Sequence, residues 1–191
     1  MVHYFYRFIY PRSNNLKIGV ILIIKMVKIA FSGKCASGKS TAARMVVNRN
    51  PDTVIMSFAA KIKELATELF GMNEKDRPLL LDLGGKMREI NEDVWLDYVI
   101  NKSKTMDNVV IDDLRFPNEY KKLKDNGFTL VRLFVDQETQ IKRLIKVYPE
   151  TWKTHVDNLG VYAETALDDH HFDYIVGPEE IDSLIKQLVK K

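Results

Sequence analysis

The stretch "IAFSGKCASGKST", residues 29–41, constrains this chain more than any other. Gly33, Gly38, Lys39 and Ser40 fall in the register G-x-x-x-x-G-K-[ST], the spacing of a loop whose backbone N–H groups surround a phosphate. Such a loop works only where a buried strand delivers it and a helix N-terminus follows it, because the helix dipole and the inward amides act on one anion. "VKIAFS" (27–32) has the short, apolar, partly β-branched character of that strand. "KSTAARMVV" has the helix formers and apolar face of the helix, which is expected to start near Gly38. The fold is thereby narrowed to a parallel α/β sheet.

The rest of the chain repeats the alternation. Strands are predicted at "TVIMSF" (53–58), "NVVID" (108–112), "FTLVRLFV" (128–135) and "FDYIV" (172–176). In "KIKELATELFG", Ile62, Leu65, Ala66 and Leu69 recur at helical spacing, and Gly71 can end the helix. Residues 78–104 read as two helices broken near Asn91-Glu92, and Pro117 can open a short helix. A further helix is expected from Gln137 to Val147. The last one carries Ile181, Leu184, Ile185 and Leu188 on one face, with Pro178, Glu179 and Glu180 at its start. Strands alternating with helices give an α/β three-layer fold around a five-stranded parallel sheet.

With 191 residues, the chain suits one well-buried domain. The formal charge of +3 is unevenly spread: residues 1–25 contain Arg7, Arg12, Lys17 and Lys25 and no acid, so residues 26–191 carry 3 − 4 = −1. A near-neutral body argues against broad nucleic-acid binding. The apolar run Ile18–Ile24 is too short to span a bilayer and ends at Lys25. It lacks a small-residue cleavage site, which argues against a secretory signal. A single cysteine, Cys35, excludes an internal disulfide and fits a reducing, cytoplasmic compartment. Residues 1–25 are read as an N-terminal extension, an added edge strand or an interface arm, with Met26 an alternative start, and 26–191 as the domain.

The cradle residues are Gly33, Lys34, Ala36, Ser37, Gly38, Lys39, Ser40 and Thr41. Lys39 is expected to bridge the β- and γ-phosphates of ATP, and the Ser40 hydroxyl to ligate Mg²⁺. A carboxylate at the end of a neighbouring strand commonly completes such a magnesium site. "VVIDDLR" supplies Asp112 and Asp113. Strand alternation turns only one of them toward the loop, and Asp113 is the expected metal residue, with capping of a helix as its alternative.

Four segments carry a family resemblance: "SFAAKIKELATELFG", "RPLLLDLGGKMREINEDVWLDYV", "VVIDDLRFPNEY" and "ETALDDHHFDYIV". Together with the glycine loop they resemble the deoxynucleoside monophosphate kinases of phages and large DNA viruses, and more distantly the phosphomevalonate kinases of animals. The resemblance runs from about Val27 to the last helix, and "DLRFPNE" is its most specific part. It implies transfer of the ATP γ-phosphoryl group to a deoxynucleoside 5′-monophosphate in the cytoplasm, the host's if the protein is viral. By motif it implies that Lys63, Arg88 and Arg115 bind the acceptor, with Arg115 also catalytic, and that "GPEEI" lies near the adenine. A lid is expected within Gln140–Thr165, where Arg143 or Lys146 would reach the transferring phosphate. The chemistry agrees: an acceptor phosphate is a competent nucleophile, so the reaction needs cations that align two anions more than it needs a base. The implied partners are small-molecule nucleotides rather than nucleic acid or membrane, with a homodimer left open. Two alternatives stand beside this reading. One is a kinase for another small phosphate monoester such as phosphomevalonate; the other is a nucleotide-dependent switch, although no "NKxD" base-reading motif is present.

Because the loop strand begins at Val27, a chain started at Met26 is expected to keep full turnover. A shortened protein that folds but loses most of its activity would show that residues 1–25 complete the site.

Overall fold

The computed structural model describes residues 26–189; the expectations placed on residues 1–25 lie outside them. Five strands, β1 (Val27–Ser32), β2 (Val54–Met56), β3 (Asn108–Leu114), β4 (Thr129–Leu133) and β5 (Tyr174–Val176), form one sheet in the order β2-β3-β1-β4-β5. Every pairing is parallel, as the alternation of strands and helices requires. The central strand β1 delivers its C-terminal end to the point where the connections pass to opposite sides. Ligands bind at that edge in open α/β sheets.

Both faces of the sheet are covered. On one side α1 (Lys39–Arg49) and the C-terminal helix Ile181–Leu188 pack Ala42, Ala43, Val46, Leu184 and Ile185 against Ile29, Phe31, Val110 and Val131. On the other, α2 (Phe58–Phe70), α4 (Val94–Ser103) and α5 (Pro117–Asp125) pack Phe58, Leu96, Val99 and Leu123 against Ala30, Val109, Ile111 and Leu130. Between α2 and α4, helix α3 (Arg77–Ile90) leans on α2, so closely that a Cβ on Gly84 would sit 3.4 Å from Ile62 Cδ1. After β4 the chain forms α6 (Gln137–Val147), α7 (Trp152–Asp157), a 3₁₀ turn at Asn158–Gly160 and α8 (Tyr162–Thr165), before β5 and the C-terminal helix α9 (Ile181–Leu188). Among the described residues no helix is long and apolar enough to cross a membrane.

The local signals explain most boundaries. Gly71 closes α2 with φ +66°, the left-handed conformation that glycine adopts freely, and its N–H returns to Thr67 O at 3.1 Å. Asp76 caps α3 and Asp136 caps α6 by accepting from Leu79 N (3.0 Å) and Thr139 N (2.8 Å). Pro117 occupies the first turn of α5, where its missing N–H costs nothing. Two expectations need correction. The second strand stops at Met56 instead of running to residue 58, because Ser57 turns the chain into α2 and a carboxylate from β3 receives that helix end. Leu69, expected on the buried face of α2, is 67 % exposed; Phe58, Ile62 and Ala66 carry the inner stripe of that helix, with Leu65 half-buried.

Candidate active site

The glycine loop folds as the motif demands. Gly33 (φ +146°), Ala36 (φ +59°) and Gly38 (φ +106°) lie in the positive-φ region, so successive peptide units roll inward between β1 and α1. A side chain at Gly33 is excluded outright: its Cβ would stand 2.6 Å from both Leu133 O and Ser37 Oγ. Lys39 is nearly buried, and its Nζ donates to Gly33 O (2.6 Å) and Lys34 O (3.0 Å), closing the loop on itself. Burial, followed by the neighbouring Arg115 charge, lowers its pKa to about 8, against a partial counter-effect from Glu164. Ser37 Oγ is buried with no hydrogen-bond partner, and Ser37 lines the cleft described below. Ser40 and Thr41 are exposed in the first turn of α1, and Thr41 Oγ1 accepts from Arg44.

Asp113, expected to hold magnesium, receives a helix end in this structure. Both oxygens of Asp113 receive the N-terminus of α2: Oδ1 accepts from Phe58 N (3.0 Å), and Oδ2 from Ser57 Oγ (2.8 Å) and Ala59 N (3.2 Å). Desolvation outweighs these bonds and raises its pKa above the ordinary range. Alternation along β3 accounts for this side of the sheet, although the strand also bulges here. Ala30 pairs with Ile111 but Ser32 pairs with Leu114, so β3 carries one extra residue against β1 at this point. Val109 and Ile111 face the α2 side and Val110 the α1 side. Alternation from Ile111 puts Asp113 on the α2 side, as its bonds show, and the bulge returns Leu114 to that side as well.

Arg115 emerges just past β3, where Glu119 fixes its backbone by accepting from Arg115 N (2.8 Å) and Phe116 N (3.0 Å). Burial pushes the Glu119 carboxyl up to about 7, against those two N–H groups. The Arg115 guanidinium donates to Ala163 O (3.4 Å) and forms an ion pair with Glu164 of α8. The other oxygen of that carboxylate accepts from the loop amide Cys35 N at 2.6 Å. Arg132 of β4 donates to Ser32 Oγ at 2.9 Å and pairs with Asp168, which also lies 3.8 Å from Lys34 Nζ. A cleft of about 690 Å³ opens beside this group, lined by Lys34, Ser37, Arg132, Phe134, Gln140 and Asp168 among others.

The remaining candidates lie elsewhere or do other work. Arg143, expected to reach a transferring phosphate, instead braces the loop from behind by donating to Ala36 O (3.2 Å) and Ser37 O (3.1 Å); Gln140 likewise donates to Cys35 O (2.6 Å). Arg88 donates to its own helix at Gly84 O (3.3 Å), and Lys63 is exposed without a hydrogen bond or ion pair among the described residues. Neither is joined to the Arg115 group by any contact described. Arg132, Glu164 and Asp168 escaped the sequence reading. For Arg132 a signal exists: a lone charge inside "FTLVRLFV", a strand with both faces covered, needs a partner. The acids give no such local sign, because Glu164 meets Arg115 across 49 residues.

The family model described as an AAA domain matches residues 29–153. No curated protein matches the chain. Among solved structures, TT1252 from Thermus thermophilus superposes with a TM-score of 0.56 at 12 % identity, covering 86 % of this chain and 96 % of that one. The shikimate kinase from Acinetobacter baumannii gives 0.53 at 15 % identity, covering 86 % and 92 %. A gluconokinase from Sinorhizobium meliloti 1021 gives 0.50 at 13 % identity, covering 85 % and 89 %. The likeness is one of fold: the P-loop kinase arrangement of helices about a five-stranded parallel sheet.

Two measurements check this geometry. Asp113→Asn is expected to weaken the α2 cap and lower unfolding free energy by about 1–2 kcal/mol. Asp112→Asn should stay within about 0.5 kcal/mol of the parent. The reverse pattern in urea unfolding would contradict the cap. For Lys39, a folded pKa of about 8 against 10.5 means that the folded protein has released a proton that the unfolded chain still holds across that window. Its contribution to stability therefore rises with pH there. A polyphosphate beside the ammonium favours the charged form, so binding at a pH of about 8–9 should take up a proton. Calorimetric enthalpies that do not vary with buffer ionisation would contradict this.

Proposed function

The chain belongs to the AAA domain family, and we propose that within it the protein transfers the γ-phosphoryl group of ATP to a small phosphorylated acceptor, a deoxynucleoside 5′-monophosphate. One observation carries the reading. The space between the loop amide Cys35 N and the Arg115 guanidinium holds a carboxylate that both donors bind at once. Two donors on separate elements that close on one anion are what a phosphoryl group in transit requires, with Lys39 close enough for Arg115 to depress its pKa.

In this reading the loop amides and Lys39 hold the β- and γ-phosphates of the donor. Arg115, fixed by the Glu119 bonds at its own N–H, meets the negative charge that develops on the oxygens being transferred. The acceptor brings its own nucleophilic phosphate oxygen. The planar fork of arginine suits a phosphate better than the point charge of lysine. Arg143 and Gln140 keep the loop in register from behind. Among the described residues no group of three or more His, Cys, Asp and Glu side chains could hold a metal. A magnesium ion arriving with its nucleotide would be held by the exposed Ser40 hydroxyl and by a carboxylate of the Asp112-Asp113 pair. That ion would neutralise phosphate charge. Lys63 and Arg88 remain the proposed outer contacts to the acceptor, on the resemblance of their motifs.

An acceptor panel tests the proposal. ATP consumption should rise at least ~10²-fold with one or more deoxynucleoside monophosphates over ATP alone. Arg115→Ala should lower kcat/KM for the acceptor at least ~10-fold, since a charge-assisted pair is worth about 1.5–3 kcal/mol. Arg88→Ala should raise the acceptor KM by a similar factor and leave ATP affinity unchanged. Turnover with phosphomevalonate and not with nucleotides would replace the acceptor class. Slow hydrolysis indifferent to every monophosphate would identify a switch.

A further inference from the structure

The ligand-binding donors of this site are already matched by the protein itself. Glu164 is 11 % exposed at its side chain and spends both oxygens on the cradle, one on Arg115 and one on Cys35 N at 2.6 Å. Four residues later Asp168 pairs with Arg132 and lies 3.8 Å from Lys34 Nζ. The two acids are one helical turn apart on a single segment, and each faces cations of the phosphate site. The segment is anchored in the core at its C-terminal end and lies at the surface at the other, where Tyr162 stacks on Phe116 with ring centroids 6.1 Å apart. Leu167 is buried at 1 % exposure in the core shared with α2, α4 and α5, whereas Val161 and Tyr162 are 44 % and 66 % exposed. A short helix held at its C-terminal end can swing its N-terminal part clear without disturbing the core.

We propose that Glu164 is an internal stand-in for phosphate: in the ligand-free protein its carboxylate occupies the cradle, and a polyphosphate must displace it to bind. This rests on the reading of the loop as a polyphosphate site. Displacement couples binding to lid movement, because the anion that leaves Arg115 and Cys35 N is carried by α8. It keeps the buried cations matched when no ligand is present. It also lowers apparent affinity by the fraction of molecules in which the carboxylate is out, since only those are competent to bind. The device selects for ligands that bring enough negative charge to replace a carboxylate at both donors, which disfavours monoanions.

Cys35 is the only cysteine in the chain, so labelling with [¹⁵N]cysteine gives one backbone amide signal, from the N–H that Glu164 receives. Glu164→Gln and Glu164→Ala are each compared with the parent for hydrogen exchange at that amide and for affinity toward inorganic tripolyphosphate, which needs neither a base pocket nor an acceptor. In ligand-free Glu164→Ala the amide is expected to exchange at least ~10-fold faster, and in both variants tripolyphosphate to bind at least ~10-fold tighter. Unchanged exchange in both variants would overturn the contact. Freed exchange with unchanged or weaker tripolyphosphate binding would overturn the competition. Reading both variants in both assays leaves the glutamine form to decide the competition if the alanine form folds poorly. Failure of the acceptor panel with these results intact would overturn the kinase reading alone.

Discussion

Positive charge gathered at the carboxyl edge of the sheet is the constraint on which the rest of this structure turns. Lys39 arrives with α1, Arg115 from the end of β3 and Arg132 from β4, and the loop adds its inward amides. Partial burial makes these charges felt. Lys39 titrates at about 8, through desolvation first and Arg115 second, and burial lowers the Arg132 pKa too. Like charges in a poorly solvated edge need anions in reach. Glu164 and Asp168 supply them, which accounts for α8 lying against the loop although it shares little apolar surface with the sheet.

The "DLRFPNE" corner shows how much one short peptide can fix. Asp113 receives the first amides of α2, tying the second helix to the third strand. Alternation from Ile111 puts it on the α2 side, and the bulge brings Leu114 there too. Pro117 starts α5 with a preset φ, and Glu119 folds back onto the N–H groups of Arg115 and Phe116. Arg115 therefore projects from a corner held on both sides by hydrogen bonds. The cost is visible in the acids, since burial raises the pKa of both Asp113 and Glu119. A guanidinium that must meet a transition-state charge gains from such fixing, because little reorganisation is left for the reaction itself.

Much of this was legible in the chain. Loop, parallel sheet, the helix Gln137–Val147, the break near Asn91-Glu92 and the glycine stop at Gly71 all follow from spacing and local backbone preference. Those signals are short-range: a left-handed turn, a missing N–H or a 3.6-residue period is set by residues a few positions apart. The inner face of the C-terminal helix was equally plain, with Leu184 and Ile185 buried and Ile181 and Leu188 packed beside them.

What the sequence left open was decided by tertiary structure, for one physical reason. Asp112 and Asp113 are chemically alike, and only the fold shows that it is Asp113 that caps α2. Leu69 fits the helical stripe, but no neighbouring element covers it. Arg143 matches a cation for phosphate, yet the loop carbonyls reach it first. Glu164 has no local mark at all; its meaning comes from Arg115 and Cys35, 49 and 129 residues away. Backbone preference and hydrophobic period are properties of a segment and can be read from it. The partner of a charge is a property of the folded chain, because electrostatic and hydrogen-bonding energy depends on distance in space and not on distance along the sequence.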